Sequence, residues 1–459
     1  MDTPVDHQEN LVVDDFLSSA TIHGLHKAAD NRSLIRRFVW IVLLLLMLTS
    51  LCIFTYIELS IYFRFETSTH TYISVRGEME FPAVTICNAN QVKNSIINCS
   101  DMEYLVYRQS ELSNSVNLSI PRHTNASTIS GDEILECVRA HSHDLEMFRM
   151  CYWEGRRVEC NSIFEVSLTS MGTCFTFNGE LPQKKSRMHG TFGGLRVVLD
   201  IQQQQYFFPS KLQSGITVIL HEPVETPLPA MRSFLVGPGF SAEAVLTRNK
   251  RALLPSPYSY CVEKESDVDS LLRYPKYSNT ACLTECIQNA VVALCSCRHY
   301  YIRDSIVDNL TQLLGIVERC RKCPEICTTY KYDWSLSYAT FGSNFVNQRL
   351  LNASIFPKES YLSSNYVDLT LFYNSMSEIV VEDLPVKMLN DIVGNLGGHM
   401  GLFLGASILS IVEVIEFACM LVAKQRNGHK LDRVNIQESV SAKDSNSQGN
   451  GSVLHIENA

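Results

Sequence analysis

LGGHMGLFLGASILSIVEVIEFACMLVA, residues 396–423, is an apolar run long enough to cross a bilayer, yet it holds Gly397, Gly398, Gly401, Gly405 and two carboxylates, Glu413 and Glu416. Ser407, Ser410, Glu413 and Glu416 recur every three residues. On a helix each such step drifts by about 60°, so the four side chains form one slanted polar stripe. Polar groups are costly inside a membrane, so the stripe must face water or protein. It either glues helices together or lines a pore whose carboxylates favour cations. Just before it stands Gly401-Leu402-Phe403-Leu404-Gly405-Ala406-Ser407. Two glycines and a small residue let the helix break and turn carbonyls toward an axis, where they replace a cation's water. Such backbone is tolerated at that depth only where it lines a cavity or is buried in protein. One such helix cannot enclose a pore, so several copies around a rotation axis are expected.

A second apolar run, FVWIVLLLLMLTSLCIFTYI, covers residues 38–57 without a charge. At 1.5 Å per helical residue it spans roughly 30 Å of hydrocarbon. It starts too late and runs too long for a signal peptide, and no small-residue cleavage site follows. Arg32, Arg36 and Arg37 precede this run, and Lys424, Arg426, Lys430 and Arg433 follow the other, which places both termini in the cytosol. The expected organisation is a cytosolic N-terminus (1–37), a first span (38–57), an extracellular domain (58–395), a second span (396–423) and a disordered cytosolic C-terminus (424–459).

The composition agrees. The 459 residues are 46% apolar and 19% charged with a net charge of −9, which excludes a disordered chain or a basic nucleic-acid-binding module. Of sixteen cysteines, only Cys52 and Cys419 lie within the spans; the other fourteen suit an oxidising exterior. The sequons at Asn98, Asn117, Asn125, Asn309 and Asn352 fall in the same outer region and are expected to be glycosylated, unlike Asn31 and Asn450. Gly194–Ile201 and Gly215–His221 read as strands, and Ile302–Arg319 has helical spacing, so the outer region is a disulfide-rich α+β unit.

No Gly-rich phosphate loop, G-x-S-x-G elbow or HExxH is present, so neither an enzyme nor a cofactor is expected. The clustered cysteines lack histidines at ligand spacing, so no metal site is expected. A non-conducting two-span receptor would have featureless spans, which this stripe is not.

The order of motifs resembles the degenerin, epithelial sodium channel and acid-sensing ion channel family, from about residue 20 to residue 417. Thr21-Ile22-His23-Gly24 resembles the pre-membrane His-Gly motif, and Phe81-Pro-Ala-Val-Thr-Ile-Cys87-Asn88 the start of the outer domain. Cys174-Phe-Thr-Phe-Asn178, Val236-Gly-Pro-Gly-Phe240, Leu254-Pro-Ser-Pro-Tyr258 and the cysteine-rich stretch Cys282 to Cys327 follow in the family's order. Gly405-Ala406-Ser407 looks like the family's G-x-S selectivity filter, and Gly394 falls at its small "degenerin" position. The chain is most similar to the invertebrate peptide-gated and acid-sensing branches.

The resemblance implies a homo- or heterotrimer with wrist, palm, thumb, finger, β-ball and knuckle, passing sodium ions and blocked by amiloride. The pore and gate would involve Gly394, Asn395, Gly398, Gly401, Ser410, Glu413 and Glu416. His23 and Gly24 would fold back beneath it, and Phe65 and Tyr258 would couple the first span to the thumb. It implies the disulfides Cys87–Cys174, Cys151–Cys160, Cys261–Cys327, Cys282–Cys323 and Cys286–Cys320, with Cys99–Cys137 an extra pair; Cys295 and Cys297 are left without assigned partners. Glu225, Asp304 and Asp308 match an acidic pocket, but Val224 stands where an acidic residue is usual, and the histidine pair after the first span is replaced by Glu66-Thr67, with only His70 nearby. An extracellular peptide is therefore the expected stimulus, with proton gating, or a constitutively active or bile-acid-sensitive channel, as the alternatives.

Overall fold

The computed structural model describes residues 16, 20–29, 33–98, 131–169, 171–207, 212–223, 225–227, 232–263, 277–295, 323–353, 359–420 and 422–423. In chain order its helices are α1 (Leu25–Ala29), α2 (Leu34–Tyr62), α3 (Gly131–Ala140), α4 (Asn279–Cys295), α5 (Asn344–Asn352), α6 (Glu359–Asn365), α7 (Leu389–Leu404) and α8 (Ile408–Met420). Its strands are β1 (Thr67–Val75), β2 (Met79–Glu80), β3 (Ala83–Asn88), β4 (Phe148–Trp153), β5 (Arg156–Val158), β6 (Phe164–Thr169), β7 (Gly172–Phe177), β8 (Lys185–Ser186), β9 (Leu195–Asp200), β10 (Ile216–His221), β11 (Ser233–Val236), β12 (Phe240–Ala252), β13 (Thr328–Thr340) and β14 (Tyr366–Pro385). The chain divides into two compact units, Met1–Glu66 with Pro385–Ala459, and Thr67–Leu384.

The first unit is helical. Helix α2 is 29 residues long, long and apolar enough to cross a membrane, and none of its residues is fully buried. It packs on α7 through Phe54, whose ring stacks on Phe403 at 5.5 Å. Helices α7 and α8 are together long and apolar enough to cross a membrane, but they meet at a 75° bend. Ahead of α1, Gly24 has φ +85°, and Lys27 in α1 lies 4.6 Å over the Trp40 ring.

The second unit is built on a seven-stranded sheet, β13-β12-β14-β9-β4-β5 with β1 added to β14, and a five-stranded sheet, β11-β10-β3-β7-β6. The expected strands at 194–201 and 215–221 are β9 and β10; the expected helix at 302–319 lies outside the described residues. All six residues of β3 and all six of β10 are buried, which explains why their sequences are continuous apolar runs instead of alternating ones. Phe81, Phe175, Phe177, Leu195, Leu199 and Tyr373 fill one core between the sheets. Four disulfides are drawn in full: Cys87–Cys174 ties adjacent positions on β3 and β7, and Cys151–Cys160, Cys261–Cys327 and Cys282–Cys323 close the others. Cys137 and Cys286 are also disulfide-bonded, while Cys99, Cys320 and Cys297 lie outside the described residues. Cys52 and Cys419 are free and exposed.

Two charged devices are set into this unit. Arg248 of β12 is buried, stacks over Tyr330 at 4.1 Å, and reaches Glu80 at 2.6 Å and Glu378 at 3.5 Å; Arg76 bonds the same buried Glu378 at 2.5 Å. Buried charges of this kind are tolerated only as partners, and removing one member leaves the others uncompensated. The second device is a pair of buried histidines. His221 Nε2 lies 2.8 Å from Thr85 Oγ1 and its Nδ1 2.8 Å from the Glu222 carbonyl, at the end of a hydroxyl chain through Thr176 and Ser167. His143 Nε2 lies 3.2 Å from Asn90 Oδ1. Burial pushes both rings down to about 4.

The folded chain therefore holds both rings neutral while an unfolded chain would bind protons below about pH 6.5. Stability from these two groups is complete above that pH and is lost as pH falls toward 4, by on the order of 2 kcal/mol each. Thermal unfolding of the solubilised full chain is expected to show this slope, and His143→Gln to flatten it by about half. An unchanged slope in the variant would contradict the assignment.

Candidate functional site

The bend between α7 and α8 falls at Gly405-Ala406-Ser407. Gly405 ends α7 in the left-handed conformation, with φ +59° and ψ +21°, and its N–H returns to the Gly401 carbonyl at 3.0 Å. Ala406 N–H returns to Met400 O at 3.2 Å, which closes the helix end as a reversed turn. Stopping the helix frees carbonyls that the next turn would have bonded. His23 takes two of them: its N–H donates to Leu404 O at 3.0 Å and its ring Nδ1 lies 3.3 Å from Gly405 O. The fit is tight, since a Cβ on Gly405 would run into the His23 ring.

Thr21 holds the start of α8. Its N–H donates to Glu413 Oε2 at 3.2 Å, its hydroxyl lies 3.0 Å from the same oxygen, and that hydroxyl also bonds Ser410 Oγ at 2.6 Å. Ser410 Oγ in turn accepts the Ser407 N–H at 3.1 Å. A continuous chain of hydrogen bonds thus runs from Glu413 through Thr21 and Ser410 to the backbone of Ser407. Phe16 stacks on Phe417 at 4.2 Å further along α8. The polar stripe is accordingly divided: Ser410 is buried and Glu413 half-buried beside Thr21, whereas Ser407 and Glu416 are exposed. Thr21 and Phe16 are contacts that spacing could not reveal, because their partners lie nearly four hundred residues away.

Along α7, Gly394, Gly397, Gly398 and Gly401 have nothing within 4 Å of an added Cβ, so this helix presents a bare small-residue face. Asn395 is half-buried beside Glu58 of α2, and Lys387 pairs with Glu58 at 2.9 Å. Phe65 ends the helical unit in a left-handed conformation, φ +52°, next to Tyr62; Tyr258 belongs to the outer unit, where its N–H bonds Pro255 O at 3.0 Å.

Glu225 lines a cavity of about 300 Å3 with His221, Glu222, Arg232, Glu325 and Lys331. There Glu225 Oε2 accepts the Glu222 N–H at 3.3 Å, and Glu222 Oε1 accepts the Tyr330 N–H at 2.8 Å. Asp304 and Asp308 lie outside the described residues, as do Asn117, Asn125 and Asn309. Asn98 closes the short turn Asn94–Asn98, and Asn352 is exposed at the end of α5.

The model of the family "Amiloride-sensitive sodium channel" matches residues 16–417. Among curated proteins, rat acid-sensing ion channel 4 is 29% identical over 88% of this chain and 78% of its own length. Chicken acid-sensing ion channel 1 is 27% identical over 94% of this chain and 90% of its length, and the mouse bile acid-sensitive ion channel 26% over 88% and 86%. The chain belongs to the amiloride-sensitive sodium channel family, a family of membrane ion channels and not of enzymes.

Gly405→Ala forces a Cβ both into the left-handed region and into the His23 ring, at a cost of about 1–2 kcal/mol for the backbone alone. The substitution is expected to abolish current while Gly77→Ala, in open space and away from α7, keeps it within about twofold; surface biotinylation separates lost function from lost protein.

Proposed function

We propose that this chain is a subunit of a sodium-selective, amiloride-blocked plasma-membrane channel, a homo- or heterotrimer with both termini cytoplasmic, opened by an extracellular ligand, namely a peptide. The observation that carries the pore is the break at Gly405-Ala406-Ser407, whose small residues and exposed Ser407 allow three copies to approach around an axis. The bare glycine face of α7 offers the close packing such an assembly needs. Glu413 and Glu416 supply negative charge on the cytosolic side of the filter, with His23 and Gly24 bracing it. Gly394 and Asn395 form the outer pore, where the amide of Asn395 contributes no ring of charge and divalent cations are held weakly. Phe65 and Tyr258 couple the outer domain to the span.

A peptide is favoured over protons because Val224 replaces an acidic residue beside Glu225, which leaves fewer facing carboxylates to share a proton. The bile acid-sensitive relative marks a third class of stimulus in the comparison.

Voltage clamp of oocytes expressing this chain tests the reading, with extracellular pH stepped from 7.4 to 5 and then amidated peptides applied. Amiloride-sensitive sodium current with peptide alone is expected. Current under acid alone would overturn the gating assignment, and silence with protein at the surface would indicate that sister subunits are required. In conducting channels, Glu416→Gln is expected to lower single-channel sodium conductance by about twofold, read from patch recordings at low salt.

A further inference from the structure

A second cleft in the outer unit opens over the buried Arg248–Glu378 cluster and has a volume of about 620 Å3. Three parts of the chain form it, all between Thr67 and Leu384: Arg76 and Glu78 in the turn that leads to Glu80 of β2, Lys185 of β8 with Arg187 beyond it, and Arg248, Tyr330 and Glu378 of the seven-stranded sheet. Its one aromatic lining residue, Tyr330, already has its ring covered by the Arg248 guanidinium at 4.1 Å. Such a lining suits a polar solute and offers little to an apolar one.

Four cations face three carboxylates there. Each carboxylate is taken: Arg76 and Arg248 hold Glu378, Arg248 holds Glu80 at 2.6 Å, and Lys185 holds Glu78 at 2.8 Å. Lys185 and, at longer range, Arg187 keep the Glu78 carboxyl below its usual range. Arg187 is exposed and, among the described residues, is the one cation of the four without an ion pair. Its backbone is nonetheless fixed, because its N–H donates to Glu154 Oε1 at 3.2 Å and the preceding Ser186 is buried, its hydroxyl bonded to Gly193 O at 2.7 Å. Deeper in, Arg248 is nine-tenths buried and its Nε has no acceptor, while Glu378 Oε2 faces Arg248 Nη1 at 3.5 Å. The group missing from this arrangement is an oxyanion, which a guanidinium binds through two parallel hydrogen bonds. The volume falls within the range of small-molecule sites, roughly 300–1,000 Å3, so the cleft has room for more than a single ion.

We propose that this cleft binds a small polar solute carrying an oxyanion, a carboxylate or a phosphate, with Arg187 as the fork that holds it and Lys185 as the second cation. The bound anion offsets the excess of positive charge above the buried cluster and so stabilises the outer unit. The site is separate from the pore and from the cavity at Glu225, and the inference does not rest on conduction.

Thermal unfolding of the detergent-solubilised full chain at neutral pH tests it, with inorganic phosphate, glycerol 3-phosphate or succinate set against sodium chloride of equal ionic strength. At about 10 mM anion, a dissociation constant of about 1 mM raises the midpoint by at least about 2 °C. That rise is expected in the wild type and in Arg251→Gln, an exposed arginine outside the cleft, and is expected to vanish in Arg187→Gln, where the exposed position leaves the fold intact. Glu78→Gln, which frees Lys185, is expected to tighten binding by about threefold, a gain that an arginine with a purely structural role would not produce. A rise with succinate alone, or with the phosphates alone, supports the site and assigns the anion to that class. A rise of equal size in wild type and Arg187→Gln would show an adventitious ion only and overturn the proposal, as would no rise with any of the three anions.

Discussion

A helix that stops must find donors for the carbonyls it releases, or leave them unpaired. In this chain the stop is at Gly405, and the donors come from His23, at the far end of the sequence. The rest of the helical unit follows from that exchange. Gly24 must be left-handed to carry the chain from His23 into α1, Thr21 then reaches Glu413 and Ser410, and Phe16 comes to lie on Phe417. The backbone around Gly405 is thus braced by Thr21 and His23, which precede α1.

The outer unit obeys the same rule by different means. Its central sheet buries Arg248 and Glu378, which are acceptable there only because Glu80, Arg76 and the Tyr330 ring surround them. A buried ionic cluster adds little net stability, but it penalises any register other than the one that brings its members together. Since β12 and β14 run parallel with a bulge between Leu246 and Arg248, the cluster marks the place where register would otherwise be easiest to lose.

Much of this was legible in the residues. β9 and β10 could be read because each is a short stretch dominated by β-branched and other apolar residues that ends up buried, apart from Arg196 of β9. The break at Gly405 could be read because Gly401, Gly405 and the small Ala406 stand just ahead of the polar stripe, where a helix is free to break. The brace could not be derived from spacing: a histidine near a cytosolic terminus is unremarkable, and only the resemblance of Thr21-Ile22-His23-Gly24 to a family motif pointed to it. Arg248 and Glu378 were not singled out at all. An isolated charge in a strand looks solvent-facing until pairing over more than a hundred residues gives it neighbours.

β14 has a mechanical consequence. It is 20 residues long, about 66 Å when extended, and lies in the interior of its sheet between β12 and β9. It ends at Pro385, and α7 starts at Leu389, so only three residues of the chain separate the two elements. Paired on both sides, the strand cannot slide along its own axis without breaking hydrogen bonds to β12 and β9 together, so it behaves as the keel of the outer unit.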